Sequence, residues 1–165
     1  MTVSYSQQSL LEIAAGLKVS KAANVSPLVT GGVNLFTISG GRVLLVALYG
    51  QVTTIIQAQA TTVKFTSTPT TGTALDLSTA GTDLTGKEAG AHLTLASSSA
   101  SGLIQDESAG TDVVVAVAGY VNLPVQRTLI PPGIISVTYG AASTGAIEYD
   151  LIYVPYDAAA VVTAD

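Results

Sequence analysis

The stretch LIPPGIISVTYGAASTGAIEYDLIYVPY, residues 129–156, carries the most regular pattern in the chain. Apolar residues recur on both sides of the loop GAASTG, and two prolines and a glycine precede the first run. Apolar, β-branched runs bounded by turn residues are typical of strands. We therefore predict two strands joined as a hairpin. Because the stretch contains no histidine, no cysteine and no recognisable serine nucleophile, we expect it to supply framework and interface rather than chemistry.

Similar short runs, rich in Val, Ile and Thr, precede this stretch and are separated by residues that favour turns. We expect Gly50 to mark a bulge or a bend within one run, and the continuous run VVVAVA indicates a strand buried on both faces. Strands at this spacing predict an all-β domain, an antiparallel β-sandwich or a barrel. The predicted strands cover residues 34–39, 42–56, 62–67, 74–77, 92–97, 113–123, 127–130, 134–139 and 146–154.

Residues 1–33 differ from this pattern and predict an N-terminal arm. Ser9 and Glu12 have the spacing of a capping box, so a short helix can begin there, and Gly16 can end it. A polar stretch with Pro and Gly follows and favours an extended linker. Since a short helix is marginal alone, the arm is ordered only where it finds a surface, on its own domain or on a neighbour's. The residues that we expect to make this contact are Val3, Tyr5, Leu10, Leu11, Ile13, Leu17, Lys18 and Lys21.

The chain of 165 residues is long enough to form one domain with its own core. We expect the arm to cover residues 1–33, the β-domain residues 34–156 and a C-terminal tail residues 157–165.

The composition predicts that part of the surface is covered by other protein. Hydrophobic residues make up 48% of the chain and charged residues only 10%, whereas soluble domains carry about 25% charged residues. Contiguous exposed apolar patches usually mark interfaces, so we expect other copies of the chain to cover them. The longest apolar runs, residues 43–49 and 113–121, are shorter than the ~18 residues of a spanning helix. With no signal-peptide pattern at the N-terminus either, we expect no membrane partner.

The net charge of −5 argues against a nucleic-acid partner, since phosphate binding requires clustered Lys and Arg. The charges are unevenly distributed along the chain. Residues 1–64 contain four cations and one acid, whereas the remainder contains two cations and ten acids. Two interpretations remain open: a basic front of one molecule meets an acidic back of another, or the few charges are uneven by chance.

The sequence offers little for catalysis. His92 is the single histidine, and we expect it on the solvent face of a strand, with nothing to favour Asp83 or Glu88 as its partner. No nucleophile elbow, zinc-protease motif or glycine-rich phosphate loop is present. We therefore predict that the chain is not an enzyme and has no catalytic residues.

The close carboxylate pairs are Asp106 with Glu107 and Glu148 with Asp150. In a glycosidase, such a pair can act as acid and base. Residues two apart on a strand share a face, and the alternation here favours a solvent-facing pair. The buried row would then consist of Ile147, Tyr149, Leu151 and Tyr153.

Loop acids can bind calcium, and exposed tyrosines can bind sugars. No loop has the spacing of an EF-hand, so we expect no metal site and no cofactor. Tyr156, which follows Pro155, is the tyrosine most expected to be exposed, and tryptophan is absent. The loop acids considered are Asp76, Asp83, Glu88, Asp106, Glu107 and Asp112.

Two segments, NLFTISGGRVLLVALYGQVTTIIQAQATTVKF and the stretch 129–156, resemble small structural proteins of tailed bacteriophages. The best understood of these proteins are head decoration, or cement, proteins. The resemblance lies in LF-x-I followed by GG, then G-x-V-T-T-x-I and Q-A-x-A-T. Near the end, a P-x-G turn, an S-T-G loop and a final Y-x-P complete it.

The resemblance covers about residues 34–67 and 129–156 and implies a jelly-roll-like domain that forms a homotrimer. Such trimers sit on the capsid exterior of the virion after synthesis in the host cytoplasm. They clamp neighbouring copies of the major capsid protein, in some cases through an N-terminal arm. Because other virion parts reuse similar folds, the alternative is a tail, spike or host-surface glycan-binding module.

Overall fold

The computed structural model describes residues 15–21, 28–57, 59–78, 80–81, 83–95, 113–116 and 128–165, with 113–116 described as a strand only. All secondary-structure elements in these ranges are strands, which confirms the predicted all-β class. They are β1 (Leu17–Ser20), β2 (Gly31–Ser39), β3 (Val43–Gln57), β4 (Val63–Pro69), β5 (Leu75–Asp76), β6 (His92–Leu95), β7 (Val113–Ala116), β8 (Thr128–Ile130), β9 (Gly133–Tyr139), β10 (Thr144–Pro155) and β11 (Val161–Ala164).

The strands form two antiparallel sheets that pack as a sandwich. Sheet I has the order β1-β10-β3-β6-β7, and β8 also pairs with β3. Sheet II has the order β11-β2-β9-β4-β5. The long strand β3 offers one edge to β10 and shares the other between β8 and β6.

The pairing is nested, so that early strands pair with late ones. β2 pairs with β11, β3 with β10, β4 with β9 and β6 with β7. Successive pairs alternate between the two sheets, as in a two-stranded ribbon folded over on itself. This arrangement produces a sandwich of two antiparallel sheets.

The core lies between the sheets and follows from strict alternation along the strands. In β9, every second residue from Gly133 to Tyr139 is buried, and the residues between them are partly exposed. Phe65 of sheet II meets the ring of Tyr149 of sheet I edge-on, with centroids 5.9 Å apart. The largest fully buried side chains are Tyr139, Tyr149, Phe36, Phe65, Leu28, Leu35, Leu45, Leu48, Ile56, Leu77, Leu84 and Leu93.

The predicted hairpin in residues 129–156 is wrong. Both strands exist as β9 and β10, but β9 lies in sheet II between β2 and β4, whereas β10 lies in sheet I between β1 and β3. The loop between them crosses from one sheet to the other, held by hydrogen bonds from Gly140 to Thr62 and between Ser143 and Leu28. Alternation shows which face of a strand is apolar, but not which strand is its neighbour.

Of the bulge or bend expected at Gly50, the bulge is absent, because β3 and β10 stay in register there. Gly50 pairs with Tyr149, and a Cβ at this position would lie 2.8 Å from Cε1 of the Tyr149 ring. The glycine therefore makes room for a neighbouring aromatic ring, which is the other common reason for a glycine inside a strand.

The chain ends contribute more strand than expected. Within the region assigned to the arm, Leu17–Ser20 forms β1 at the edge of sheet I, Leu28 is fully buried, and β2 begins at Gly31. Within the region assigned to the tail, Val161–Ala164 forms β11 of sheet II. Strands of four residues contain too few alternations to be recognised from periodicity.

Candidate interaction surface

The outer faces of the two sheets differ in chemistry. On sheet II, many outward positions bear a hydroxyl group, and the register aligns Ser136 with Thr66 on one side and with the amide-bearing Asn34 on the other. On sheet I, one end of the outer face is apolar and the other is polar. The outward hydroxyl residues of sheet II are Thr37, Ser136, Thr138, Thr66 and Thr68.

The apolar end of sheet I contains a row of three side chains on adjacent strands. Leu44 of β3 pairs with Leu129 of β8 on one side and with Val154 of β10 on the other. The neighbours of Leu44 along β3, Val43 and Leu45, are buried in the core, so Leu44 points outward. Leu129 is 38% exposed, and Leu44 and Val154 are partly exposed. We call Leu129, Leu44 and Val154 the apolar row.

A charged and aromatic cluster borders the apolar row. Arg42 lies two positions before Leu44, and Tyr156 two positions after Val154, which places both beside the row. The Arg42 guanidinium carbon lies 4.8 Å from the centroid of the Tyr156 ring, a cation–π contact. Tyr156 is 56% exposed, which confirms the expectation that it is an exposed tyrosine.

Asp157 fixes the position of Arg42. Its carboxylate accepts hydrogen bonds from the Arg42 main-chain N–H at 2.8 Å and from Nε and Nη2 at 2.9 Å each. These hydrogen bonds lower the pKa of Asp157 to about 2, and those from the Arg42 side chain have a larger effect than the one from its main-chain N–H. A guanidinium held in this way has a defined orientation, which is the usual reason for Arg at recognition sites. We call Arg42, Tyr156 and Asp157 the Arg42 cluster.

The strand β1 is held to sheet I by a second charged network. Lys18 Nζ lies 2.8 Å from the Asp150 carboxylate. Partial burial shifts the pKa of Asp150 upward, but hydrogen bonds from Lys18, Ser20 and Tyr49 together outweigh it and hold the pKa below its ordinary value. Burial is the main reason that the pKa of Tyr49 is raised. Asp150 is therefore a charged anchor for the edge strand.

Ion pairs within the chain join cations of residues 1–64 to acids of the remainder. Lys18 pairs with Asp150, Arg42 with Asp157 and Lys64 with Asp76, in each case at 2.8 or 2.9 Å. Lys21 donates to the main-chain oxygen of Asp165. Each of the four cations in residues 1–64 thus contacts an acid-bearing residue of the same chain's remainder. Among the described residues, three ion pairs therefore join residues 1–64 to the acidic remainder within one molecule.

Of the carboxylates considered for chemistry, Asp150 and Asp76 form ion pairs within the domain. Glu148 is exposed and Asp150 partly exposed, while Ile147, Tyr149, Leu151 and Tyr153 are buried, which confirms the predicted solvent-facing pair. Asp76 accepts hydrogen bonds from Lys64 and Thr66, each at 2.9 Å. Asp106 and Glu107, the other pair, lie outside the described residues, as does Asp112.

Asp83 organises its own loop. It accepts hydrogen bonds from the main-chain N–H groups of Thr85 at 3.0 Å and Thr61 at 2.9 Å, and also from the Thr85 hydroxyl. These hydrogen bonds lower the pKa of Asp83, and the largest effect comes from the main-chain N–H of Thr85. Glu88 is exposed nearby. Within the described ranges, no three His, Cys, Asp or Glu side chains come together as a metal-binding group.

His92 lies at the start of β6, on the polar end of the outer face of sheet I. It pairs with Gln51 of β3 and is partly exposed, as expected for a residue on the outward face of a strand. Its Nδ1 atom is buried and, among the described residues, has no hydrogen-bond partner.

The candidate arm residues divide into two groups. Leu17 packs against the core, Lys18 pairs with Asp150, and the main-chain N–H of Lys21 donates to the Tyr149 carbonyl at 2.9 Å. For these three residues, the contacted surface belongs to the chain's own domain. The other candidates, Val3, Tyr5, Leu10, Leu11 and Ile13, lie outside the described residues.

The apolar row and the Arg42 cluster were not identified from the sequence. The run VLLVALY shows no alternation, which is the signal that both faces of β3 are apolar. The lack of alternation does not show whether the outward face of β3 is covered by other residues. It also does not show that Leu44, Leu129 and Val154 are neighbours, because their contact depends on the pairing of β3 with β8 and β10.

Comparison of the chain with protein-family models, with curated proteins and with solved structures finds no match in any of the three. In the parts of the chain that the structure describes, no helix combines the length and the hydropathy needed to cross a bilayer.

Proposed function

We propose that this chain is a structural virion protein that binds the outside of an assembled phage capsid as a homotrimer and stabilises it. In this role its partners are its sister copies and the major capsid protein, and the N-terminal arm contacts neighbouring subunits. The observation that carries the proposal is the apolar row beside the Arg42 cluster on the outer face of sheet I. The segments that resemble phage decoration proteins supply the virion context.

The chemistry of this surface favours contact with protein. Aromatic residues and Arg are enriched in the cores of protein interfaces, whereas Lys, Glu and Asp are depleted there. The apolar row offers aliphatic area, and the Arg42 cluster offers an oriented guanidinium stacked on an exposed ring. A few anchors of this kind carry most of the binding energy in measured interfaces.

Stabilisation of a capsid requires only that the protein bind the assembled lattice more tightly than the separated subunits. Any such ligand shifts the equilibrium toward the assembled shell by mass action. A trimer with three linked attachment points gains avidity without strong individual contacts. A low-charge β-sandwich with an apolar outer patch meets these requirements.

The experiment that tests the proposal is immunogold labelling of virions produced by the phage that encodes this chain. We expect label over the outer surface of the head on intact particles. Label confined to the tail or to a spike would favour the alternative virion module. Virions without label would contradict both. A matched comparison is the Leu44→Ser and Leu129→Ser double variant, which we expect to be lost from the head, with Thr66→Ala of sheet II retained.

A host-surface glycan-binding module is the second candidate function, and exposed Tyr156 is the observation that favours it. Arg42 lies over the ring, and a sugar would stack on the exposed part of the Tyr156 side chain. Specific binding on a glycan array that is lost in Tyr156→Ala would support this function, whereas binding unaffected by that change would remove its basis.

A further inference from the structure

We propose that the Tyr153 hydroxyl closes the free edge of sheet II against strand addition, so that copies of this chain meet through sheet faces and not by joining their sheets edge to edge. The inference goes beyond the proposed function and holds whatever particle the chain belongs to. It rests on the direction of the N–H groups of β11 and on one hydrogen bond that joins the two sheets.

The strand β11 is the last strand of sheet II among the described residues, and it pairs with β2. In an antiparallel pair, residues whose N–H and C=O groups bond to the partner strand alternate with residues whose groups face away from it. The main-chain N–H of Asp165 donates to the Leu35 carbonyl at 3.1 Å, so Asp165 and, two positions earlier, Thr163 bond to β2. The N–H groups of Val162 and Ala164 therefore face the free edge.

The composition of β11 would favour pairing with another chain if this edge were open. Native proteins protect an edge strand by keeping it short, by charges, prolines or bulges, or by a covering group. β11 has the sequence VVTA, without a charge or a proline, and it pairs with β2 without a bulge. Val161 is 47% exposed. Besides its short length, the protection left to this strand is a covering group.

Tyr153 supplies the covering group. Its side chain starts from β10 of sheet I and is 4% exposed. Its hydroxyl oxygen accepts a hydrogen bond from the main-chain N–H of Val162 at 3.3 Å. This bond occupies one of the N–H groups that β11 directs to its free edge, and it gives the buried hydroxyl a partner. A strand from another chain would have to displace it.

Further contacts join the edges of the two sheets on this side. β1, the edge strand of sheet I, contacts β11, and Tyr153 pairs with Leu17 of β1. Lys21, the residue after β1, donates through Nζ to the main-chain oxygen of Asp165, the residue after β11. An approaching strand therefore meets two edge strands that are tied together, and not one separate edge.

On the opposite side of the sandwich, the chain itself occupies part of the strand edges. Main-chain N–H groups in the segment after β5 donate first to carbonyls of β4 and its start, and then to carbonyls of β3. The sheet faces, including the one that carries the apolar row, are then the surfaces open to other copies. The donors are Leu77, Gly81, Leu84, Gly86 and Gly90.

Tyr153→Phe in the full-length protein tests the proposal, because it removes the hydroxyl and keeps the ring. Tyr149→Phe is the matched control, since it also removes a buried hydroxyl, but one that bonds to Tyr139 and not to β11. We expect the mass of Tyr153→Phe assemblies to rise with protein concentration beyond that of the unmodified protein. Tyr149→Phe is expected to keep the mass of the unmodified protein. Multi-angle light scattering measures these masses.

A proline distinguishes edge pairing from general aggregation. Adding Ala164→Pro to Tyr153→Phe removes an N–H that faces the free edge without removing a bond to β2, and we expect it to restore the mass of the unmodified protein. Equal masses for Tyr153→Phe and the unmodified protein would overturn the proposal. Assemblies that form equally in Tyr149→Phe, or that persist with Ala164→Pro, would overturn it as well.

Hydrogen exchange in the unmodified protein tests the bond itself and needs no variant. The N–H groups of Val162 and Ala164 face the same edge, and Ala164 is exposed. We expect the Val162 amide to exchange at least about ten-fold more slowly than the Ala164 amide, because its bond to Tyr153 must open first. Equal rates for the two amides would contradict the proposal.

Discussion

The hydroxyl oxygens of Tyr139 and Tyr149 lie 2.7 Å apart in the core. Tyr139 belongs to β9 of sheet II and Tyr149 to β10 of sheet I, so this hydrogen bond joins the two sheets across the sandwich. Both side chains are at most 2% exposed. A buried hydroxyl needs a partner, and here each tyrosine supplies the other's.

Tyr149→Phe is expected to lower the free energy of unfolding by about 1–3 kcal/mol, because it leaves the Tyr139 hydroxyl buried and unpaired. The double change to Phe at both positions is expected to cost less than the sum of the two single changes. Urea unfolding of the four proteins measures this coupling. Strict additivity would show that the two hydroxyls do not form a pair.

The same two tyrosines are expected to resist ionisation. Burial raises the pKa of both above the ordinary value of 10.0. A raised pKa favours the neutral form in the folded state, so the stability that they contribute is complete below pH 10 and declines as the pH rises above the unfolded pKa of 10.0. Phenolate absorbance of Tyr139→Phe and Tyr149→Phe, compared with that of the unmodified protein, should therefore show that these two tyrosines titrate only when the protein unfolds. Ionisation of either tyrosine in the folded protein would contradict this prediction.

Gly50→Ala is expected to be destabilising, because the new Cβ would lie 2.8 Å from the Tyr149 ring and 3.0 Å from Ile147 Cγ2. Overpacking of this kind costs about 1–3 kcal/mol. Gly32→Ala is the matched control within a strand, since its nearest neighbour would be Thr138 Oγ1 at 3.9 Å. The two midpoints of urea unfolding are compared, and equal effects would remove the steric explanation for Gly50.

The strand β10 shows which features of the fold the sequence predicts and which it does not. Its alternation placed Glu148 outside and Tyr149 inside correctly, because burial of one face is encoded within the strand itself. The same alternation led to a hairpin that does not exist, because the choice between a neighbour in one sheet and a partner across the core depends on the rest of the chain. The edge strands β1 and β11 were missed, since each owes its order to pairing with a longer strand.

The candidate site was less predictable than the fold. Exposure of Tyr156 followed from its position after Pro155, and the structure confirms it. The contact of Arg42 with Tyr156 and Asp157 depends on the register between β3 and β10, which no local pattern encodes. The apolar row depends in addition on β8, a strand of three residues.

The Arg42 cluster is expected to give the protein a specific sensitivity to acid. The pKa of Asp157 is lowered from 3.8 to about 2, chiefly by its hydrogen bonds with the Arg42 side chain. A lowered pKa favours the charged form in the folded state, so the contribution to stability is present above pH 3.8 and is lost as the pH falls toward 2. Asp157→Asn should therefore reduce the melting temperature at neutral pH and flatten its dependence on pH in this window.

Glu148→Gln, which removes an exposed acid from β10, is the control for this experiment and should keep the acid dependence of the unmodified protein. A parallel acid dependence in Asp157→Asn would show that the contact with Arg42 contributes nothing to stability.

The central claim is that the low-charge exterior, with its apolar row, is covered by sister copies. Multi-angle light scattering of the purified chain tests it most directly. We predict a stable particle of three times the 16.6 kDa of one chain, and a smaller mass for the Leu44→Ser and Leu129→Ser double variant. A monodisperse species of 16.6 kDa across the accessible concentration range would contradict the claim.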